Sequence, residues 1–504
     1  MLMAHDLTLI RLYEDAFGCA PAEVTPLAGA GSNRCYYLLT SCDASGGKVV
    51  GTVGTDASEN RAFIALSQHF RKASLPVPEV YTVSADGMAY LQQWVGEKSL
   101  FDAIADGREK GGRYSEAETA LVRKAVEMLP AFNFRGAEGL DFSICFPEQS
   151  MHDGLIANDI AYFKYSFLKV SGIEFDEVRL DGELRHLASD IGYAVRKSGN
   201  TFMIRDFQSR NVMLLGDEPY LIDFQGGRRG PATYDLASFL WQARARFSSD
   251  MKRTMVDAYI VKAHEVSSSF DESAFRHNLP VMVLFRILQT LGAYGFRGWT
   301  ERKPHFLRSI PSGVDNLLDF FLHPLDDGFA SVAADYPYLK YLAEQLTDAS
   351  KVADLRMLVT VPAVRGLTVT VSSFSYKRGV PYDLSGNGGG FVFDCRAVHN
   401  PGRYEQYKPL TGMDRPVIDF LEKNGEIFTF LDSCELLVDA SVERYLSRGF
   451  TSLSVSFGCT GGRHRSVYSA EAMAKHLASK YPQVQVALIH REQRKLRIFP
   501  PLTK

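Results

Sequence analysis

Two stretches of the chain hold residue types at spacings suited to phosphate chemistry. In SVSFGCTGGRHRSVY (454–468), Cys459 and Arg465 stand six positions apart, with Ser466 directly after. That is the Cys-x5-Arg-Ser spacing of a phosphate cradle. Its glycines let backbone N–H groups turn inward, a helix start adds its dipole, and an arginine grips oxygens in pairs. Such a loop would cleave a phosphate ester through Cys459, hold a phosphorylated ligand, or touch nucleic acid. In MIRDFQSRNVMLL (203–215) and YLIDFQGGRRGPATYDLASFL (220–240), Asp206 and Asn211 are five apart, and Asp223 follows twelve residues later. Phosphoryl transfer from ATP needs a carboxylate near the attacking hydroxyl, and acidic or amide oxygens holding Mg2+ against the phosphates. On that reading Asp206 orients the hydroxyl or takes its proton, Asn211 and Asp223 hold the metal, and Asp235 anchors the Asp206 loop from behind.

The elements that must position these groups follow from hydrophobic periodicity. Residues 6–18 read as a short helix, 27–40 as a glycine-rich turn and an alternating strand, and 48–55 as a second strand. Ala62, Phe63, Leu66 and Phe70 share one face of a helix over 58–73, with Ser58 as its N-cap. Residues 75–95 read as two strands around the turn at Asp86-Gly87. The first hundred residues therefore predict a small sheet with a helix. The pattern is then mostly helical from 115 to 200 and from 233 to 348, with short strands near 201–204 and 212–222. A boundary falls at 360–366. The alternating LTVTVSSFSY (367–376) then opens an α/β unit, in which TSLSVSFGC is a strand and RSVYSAEAMAKHLASKY the helix after the cradle.

Bulk properties set limits. A chain of 504 residues predicts more than one domain. A net charge of −3 makes no global claim on nucleic acid, so anion binding must come from local patches. Seven scattered cysteines without a Cys-x2-Cys pair argue against a disulfide framework or a structural zinc. The acidic, amphipathic start does not read as a signal peptide, and no apolar run reaches the ~20 residues of a membrane span. The expectation is a cytoplasmic protein with no membrane partner.

RDFQSRNVM, IDFQGGRRGPATYDLASFL, LPVPEV and ILQTLGAYGFRG (287–298) give residues 10–330 a resemblance to the aminoglycoside phosphotransferase family. The likeness is strongest to its cell-wall-recycling N-acetylmuramate/N-acetylglucosamine anomeric kinases. The resemblance implies ATP, Mg2+ and transfer to an amino-sugar hydroxyl. It also implies a protein-kinase-like bilobal fold, with a β-rich N-lobe over 1–95 and a helical C-lobe over 96–350. Carried over to this sequence, GAGSN supplies a turn over the phosphates through Gly29, Gly31, Ser32 and Asn33, and Gln93 falls at the adenine hinge. Glu59 is either the partner of a phosphate-binding lysine or serves alone. Asp159 and Trp241 either line a sugar pocket, since aromatics stack on sugar faces, or are a solvated acid and a core aromatic, the second reading being favoured. Two departures stand out. Ile204 replaces the usual histidine two residues before Asp206, and VVGTVGT lacks the expected lysine, Lys48 standing too early in the strand.

SFSYKRGVPYD, FVFDCRAVHNPGRYEQYKPLTGMDRPV and GCTGGRHRSVYSAE make residues 367–497 resemble the C-terminal domain of the RNase adapter protein RapZ. A linker is expected at 351–366 and this domain at 367–504, an α/β fold with a mixed or parallel sheet. The resemblance implies that Cys459, Thr460, Gly461, Gly462, His464, Arg465 and Ser466 hold a phosphosugar, with His399 nearby. It also brings in a small RNA, for which the tail offers Arg491, Arg494, Lys495 and Arg497. Cys459 hydrolysis lacks a recognisable acid loop, since Asp383, Asp394 and Asp414 sit in no such motif. The leading expectation is thus an ATP-dependent amino-sugar kinase coupled to a phosphosugar-sensing domain. The alternatives are a degenerate kinase scaffold for an RNA-binding regulator, and a Cys459 phosphatase. A homo-oligomer is left open.

Overall fold

The computed structural model describes residues 4–27, 34–41 and 47–502, with side chains from Leu7 onward. The expected phosphate turn of Gly29, Gly31, Ser32 and Asn33 lies outside the described residues. The chain forms two compact units. One comprises 1–164, 175–292 and 315–343, the other 165–174, 293–314 and 344–504.

The first unit opens with helix α1 (Ala4–Phe17) and an antiparallel sheet of β1 (Glu23–Leu27), β2 (Cys35–Thr40), β3 (Lys48–Val53), β4 (Val80–Val83) and β5 (Ala89–Gln93). The spatial order is β1-β2-β3-β5-β4. Strand alternation gives the sheet two faces. Tyr37, Leu39, Val49, Val53, Ala89 and Leu91 pack against Leu9 and Tyr13 of α1. Gly51 lies on that face because a Cβ there would stand 2.8 Å from Leu39 and 2.9 Å from Leu9. The opposite face carries the cross-strand row Tyr36, Thr52 and Tyr90. It meets helix α2 (Ala57–Lys72), whose Phe63 stacks on Tyr90 at 5.2 Å. The N-cap of α2 is Asp56 rather than the expected Ser58. Its Oδ1 accepts from the N–H groups of Ser58 at 2.7 Å and Glu59 at 3.4 Å. A carboxylate one step earlier reaches two orphan donors, which a hydroxyl at 58 could not.

The helical remainder of this unit is built around α3 (Glu116–Asn133), entered through a Ser115/Glu118 capping box. A hairpin of β6 (Val212–Leu215) and β7 (Glu218–Leu221) and helix α4 (Ala232–Leu240) flank the residue 206 loop. Of the two readings of Trp241, the structure shows the core aromatic. It is buried and stacks on Phe329 at 5.6 Å. The expectation that no run is apolar enough to span a bilayer also needs correcting. Residues 272–300 pass by length and composition, but 72% of their most apolar window is buried within the protein.

In the second unit, the expected linker is largely helix α5 (Ser350–Val359), with Val352, Asp354 and Leu355 buried. Asp354 holds the helix down. Its carboxylate accepts from Arg378 at 2.8 and 3.0 Å and pairs with Arg491 Nε at 3.2 Å. Arg378 also reaches Glu492 at 2.8 Å. Removing the acid takes from Arg491, 5% exposed, its nearest carboxylate, while Arg378 keeps Glu492. Asp354→Ala is therefore expected to cost about 3 kcal/mol, measured as a lowered urea midpoint for this unit.

Strands β8 (Thr368–Ser375), β9 (Phe391–Asp394), β10 (Ser452–Cys459), β11 (Gln485–His490) and β12 (Lys495–Phe499) form a sheet in the order β9-β10-β8-β11-β12. The first four are mutually parallel and β12 is antiparallel, so the sheet is mixed. Helices α6 (Glu426–Arg448) and α7 (Arg465–Lys480) contribute Val438, Val442, Met473 and Leu477 to its core. The central strands are buried along most of their length, as parallel strands covered on both faces are.

Strand β12 corrects the reading of 490–504 as a basic tail. Arg491 is buried and donates to the carbonyls of Gly379 at 2.8 Å and Arg378 at 3.1 Å, so it is closed to a nucleic-acid backbone. Arg494 donates to the Asp348 carbonyl at 2.9 Å, and Arg497 pairs with Glu471. Lys495 is exposed at the start of the strand.

Burial works to raise the Glu471 carboxyl, but hydrogen bonds from His490 and Arg497 outweigh it and bring it down to about 2. A carboxyl depressed in the fold stabilises it above the unfolded value near 4.5, and that contribution disappears as pH falls toward 2. Urea midpoints of the second unit should therefore decline between pH 4.5 and 2. Glu471→Gln should flatten that slope.

Candidate functional site

The residue 206 loop is held from behind by one buried acid. Asp235, in the first turn of α4, accepts from the backbone N–H groups of Ile204 at 2.8 Å and Arg205 at 2.9 Å. Its third donor is Asn133 Nδ2, at 3.0 Å, and Asn133 is itself fixed by Tyr259 Oη at 2.8 Å. Burial pushes the Asp235 carboxyl up to about 7, against the pull of these donors. Ile204, standing where the histidine was expected, is fully buried, and its backbone N–H does the anchoring.

Arg205 and Asp223 have φ of +74° and +61°. This left-handed region is costly for residues with a Cβ and is kept where the surroundings over-determine it. Around Asp206 the surroundings do so. Asn211 Nδ2 donates to the Asp206 carbonyl at 2.8 Å and to Asp223 Oδ2 at 3.3 Å. The Asn211 carbonyl accepts from Ile222 at 2.9 Å. Gln225 Nε2 donates to Asp223 Oδ1 at 2.8 Å and to Glu59 Oε1 at 3.3 Å, linking the helical lobe to α2. Glu59 also pairs with Arg34 Nη2 at 3.3 Å. The structure thus brings together Asp206, Asn211, Asp223, Asp235 and Glu59.

Burial first, and then the neighbouring Asp206, raise the Asp223 carboxyl. The carboxylates of Asp206 and Asp223 and the Asn211 amide can together offer oxygen donors. Such a set fits a hard divalent cation. Gln93 ends β5, and its Oε1 accepts from the Glu79 N–H at 3.3 Å. Asp159 lies in a polar network beside Arg205. It accepts from Gln289, whose Oε1 accepts from Tyr234 Oη at 2.9 Å, and Arg286 donates to Tyr234 Oη at 2.8 Å. Sequence reasoning missed Asn133, Gln225, Tyr234 and Arg34. Asn133 reaches Asp235 across 102 residues and Gln225 reaches Glu59 across 166, contacts that local spacing does not encode.

The second candidate is the loop from Gly458 to Ser466, at the C-terminal ends of β8 and β10. In a parallel sheet, neighbouring strands whose onward connections run in opposite directions leave a crevice at these ends. Gly462 has φ +63°, and a Cβ there would stand 2.7 Å from Ser375 N. The Thr460 carbonyl accepts from Ser375 Oγ at 2.7 Å, and the Gly462 carbonyl from Gln493 at 3.1 Å. Gly461 has open space around its Cα.

Burial raises the Cys459 thiol, but the Ser466 hydroxyl and the N–H groups of Ser466 and Arg463, with Arg465 beyond, bring it below its ordinary value. The Ser466 hydroxyl and the N–H groups of Ser466 and Arg463 thus converge on the Cys459 sulfur. Cys459 itself is 3% exposed, with Sγ 3.1 Å from Ser466 Oγ.

Several expected contacts are directed elsewhere. Arg465 Nη1 donates to the carbonyls of Arg396 at 3.0 Å and Val398 at 2.8 Å. His464 Nε2 lies 2.8 Å from the Tyr407 carbonyl, and burial holds its ring below the ordinary histidine value. His399 is exposed, 3.2 Å from Tyr404 Oη. A largely apolar cavity of 590 Å3 nearby is lined by Phe393, Val398, Phe430 and Cys434 and by none of the loop's residues.

Comparison with known proteins follows this division. Residues 174–270 match the family model described as the phosphotransferase enzyme family, a span that includes Asp206, Asn211, Asp223 and Asp235. Residues 367–494 match the model of the RapZ C-terminal domain, which includes the 458–466 loop. Two separate segments of the chain are thus similar to the phosphotransferase enzyme family and to the RapZ C-terminal domain.

A nucleotide-binding protein of Glaesserella parasuis serovar 5 is 31% identical over 37% of this chain and 62% of its own length. One from Xanthomonas campestris pv. campestris is 38% identical over 29% of this chain and 51% of its own. The chain thus spans little more than half the length of these relatives. Among solved structures, the gentamicin–APH(2")-IIa complex is 15% identical, covering 63% of this chain and 96% of that one, with a TM-score of 0.43. ADP-bound aminoglycoside phosphotransferase APH(2'')-Ib is 13% identical, covering 66% and 98%, with a TM-score of 0.43.

Proposed function

We propose that the chain is an ATP- and Mg2+-dependent phosphotransferase acting on an amino-sugar hydroxyl, coupled to a phosphosugar-binding crevice in its second unit. The observation that carries the first half is the set Asp206, Asn211, Asp223 and Asp235, joined through Gln225 to Glu59. Asp206 accepts the acceptor hydroxyl's proton, and Asp235 keeps its loop in the left-handed turn that presents it. Asn211 and Asp223 hold the cation, with Asn211's donor end occupied and its oxygen turned to that task. Mg-ATP, when bound, supplies the electrophilic γ-phosphoryl group and the positive charge that screens it. The Asp159–Gln289–Tyr234–Arg286 network offers a hydroxyl-rich acceptor both donors and acceptors.

The second half rests on the convergence of N–H groups at Cys459 and on the open backbone at Gly461. Inward donors at the start of a 16-residue helix favour an anion. Cys459 acts there as a lining residue, since a thiol 3% exposed and capped by Ser466 is poorly presented for attack. A thermal-shift screen of the full chain tests both halves. MgATP and an amino-sugar phosphate are each expected to raise the melting temperature, and the shift with both together is expected to depart from the sum of the two, as coupled sites require. No shift with MgATP would remove the phosphotransferase reading. No shift with any sugar phosphate would remove the coupling.

A further inference from the structure

We propose that Arg34 is the cation that grips the nucleotide phosphates, filling from the residue just before β2 the post that β3 leaves without a lysine. This rests on the phosphotransferase reading and names a residue that reading does not supply.

The sheet register shows why Lys48 cannot serve. Thr40 pairs with Lys48 and Cys35 with Val53, so Lys48 lies at the far end of β3 from the Cys35 edge. Five residues of strand separate the two ends, about 17 Å. Lys48 is exposed there, with its Nζ 5.5 Å from the Trp94 ring. The residue that β3 presents between Tyr36 and Tyr90 is Thr52, fully buried, with Gln92 Nε2 3.4 Å from its hydroxyl. Lys48 shares this face with Thr52 but stands at its far end, so β3 offers no charge between Tyr36 and Tyr90.

The residue leading into β2 does. Arg34 directly precedes the strand, and its side chain hydrogen-bonds to Tyr36 of this row. Its side chain is 2% exposed and pairs with Glu59 at 3.3 Å. Gln225 bridges Glu59 to Asp223, at 3.3 and 2.8 Å. Arg34 and Asp223 also act on one another's charge, as do Arg34 and both tyrosines of the row. The guanidinium therefore occupies the position in the ion-pair chain where a cation must face both the helix acid and the metal-binding acid.

Chemistry favours the assignment. A guanidinium presents five donors in a planar fork that suits paired phosphate oxygens. The recess holds the acids Asp206, Asp223 and Glu59, and a polyphosphate would add to that negative charge. A buried cation paired to Glu59 anchors the α- and β-phosphates without crossing the cleft.

The test is isothermal titration of the full chain with adenosine, ADP and MgATP, for wild type, Arg34→Ala and Arg34→Lys. Loss of a charged hydrogen bond predicts MgATP and ADP binding weakened about 10- to 100-fold in Arg34→Ala. Adenosine affinity should be unchanged, because the base does not reach the guanidinium. Arg34→Lys keeps the charge and loses the fork, so it should fall between. It also serves if the alanine variant does not fold. Unchanged MgATP affinity in the variants overturns the proposal, and so does a parallel loss of adenosine binding, which marks a structural role. If wild type binds no adenine nucleotide, the phosphotransferase reading and this inference both fail. If wild type binds and Arg34 is indifferent, only this inference fails.

Discussion

Asp206→Asn is expected to lower phosphoryl transfer about 10³-fold while leaving MgATP affinity unchanged. The carboxylate is asked to take a proton from the acceptor hydroxyl, and an amide cannot. Asparagine nearly matches aspartate in shape, so the turn at Arg205 and the Asn211 bond to the residue 206 carbonyl should both survive. The loss should therefore appear in kcat and not in nucleotide binding. Rapid-quench measurement of the chemical step, with titration of MgATP in parallel, separates the two. Full activity in the asparagine variant would remove Asp206 from proton transfer.

Asp235→Ala should be the most damaging change to the fold of the first unit. The carboxylate is fully buried and satisfies three donors, from Ile204, Arg205 and Asn133. Each buried N–H left without a partner costs ~1–3 kcal/mol, so a total of about 4 kcal/mol is expected. Two of those N–H groups belong to the backbone leading into Asp206, which would lose its enforced geometry as well. Asp235→Asn keeps part of the set, because one amide oxygen can still accept. Urea midpoint and turnover should both rank wild type, Asn, then Ala. Equal stability of the alanine variant and wild type would mean that the loop is held by something else.

How far this was legible in the sequence depends on how locally each feature is encoded. Asp206, Asn211, Asp223 and Asp235 lie within thirty residues of one another, and a turn, a hairpin and a helix start bring them together. The strands of the small sheet and most of those after residue 367 were legible for the same reason, since strand alternation and turn residues are local. Arg34 was not, because its role depends on which residues of β2 and β3 stand opposite, a register that spacing does not state.

Orientation was equally hidden. Arg465 follows its glycine loop as expected, yet its guanidinium turns to the carbonyls of Arg396 and Val398. Arg491 looked like part of a basic tail, but a salt bridge to Asp354, 137 residues earlier, buries it. The alternation in KLRIF was a strand signal hidden by its charges. Ser58 was passed over as a cap because Asp56 reaches the same N–H groups with a better acceptor.

The central claim is that this chain moves a phosphoryl group from ATP to an amino sugar. Phosphorus-31 NMR of the full chain with MgATP and N-acetylglucosamine, repeated with N-acetylmuramate, tests it most directly. The account predicts a new sugar-phosphate resonance that grows as the γ-phosphate signal falls, and that is absent in Asp206→Asn over the same interval. Unchanged ATP signals with both sugars, or release of inorganic phosphate alone, would contradict it.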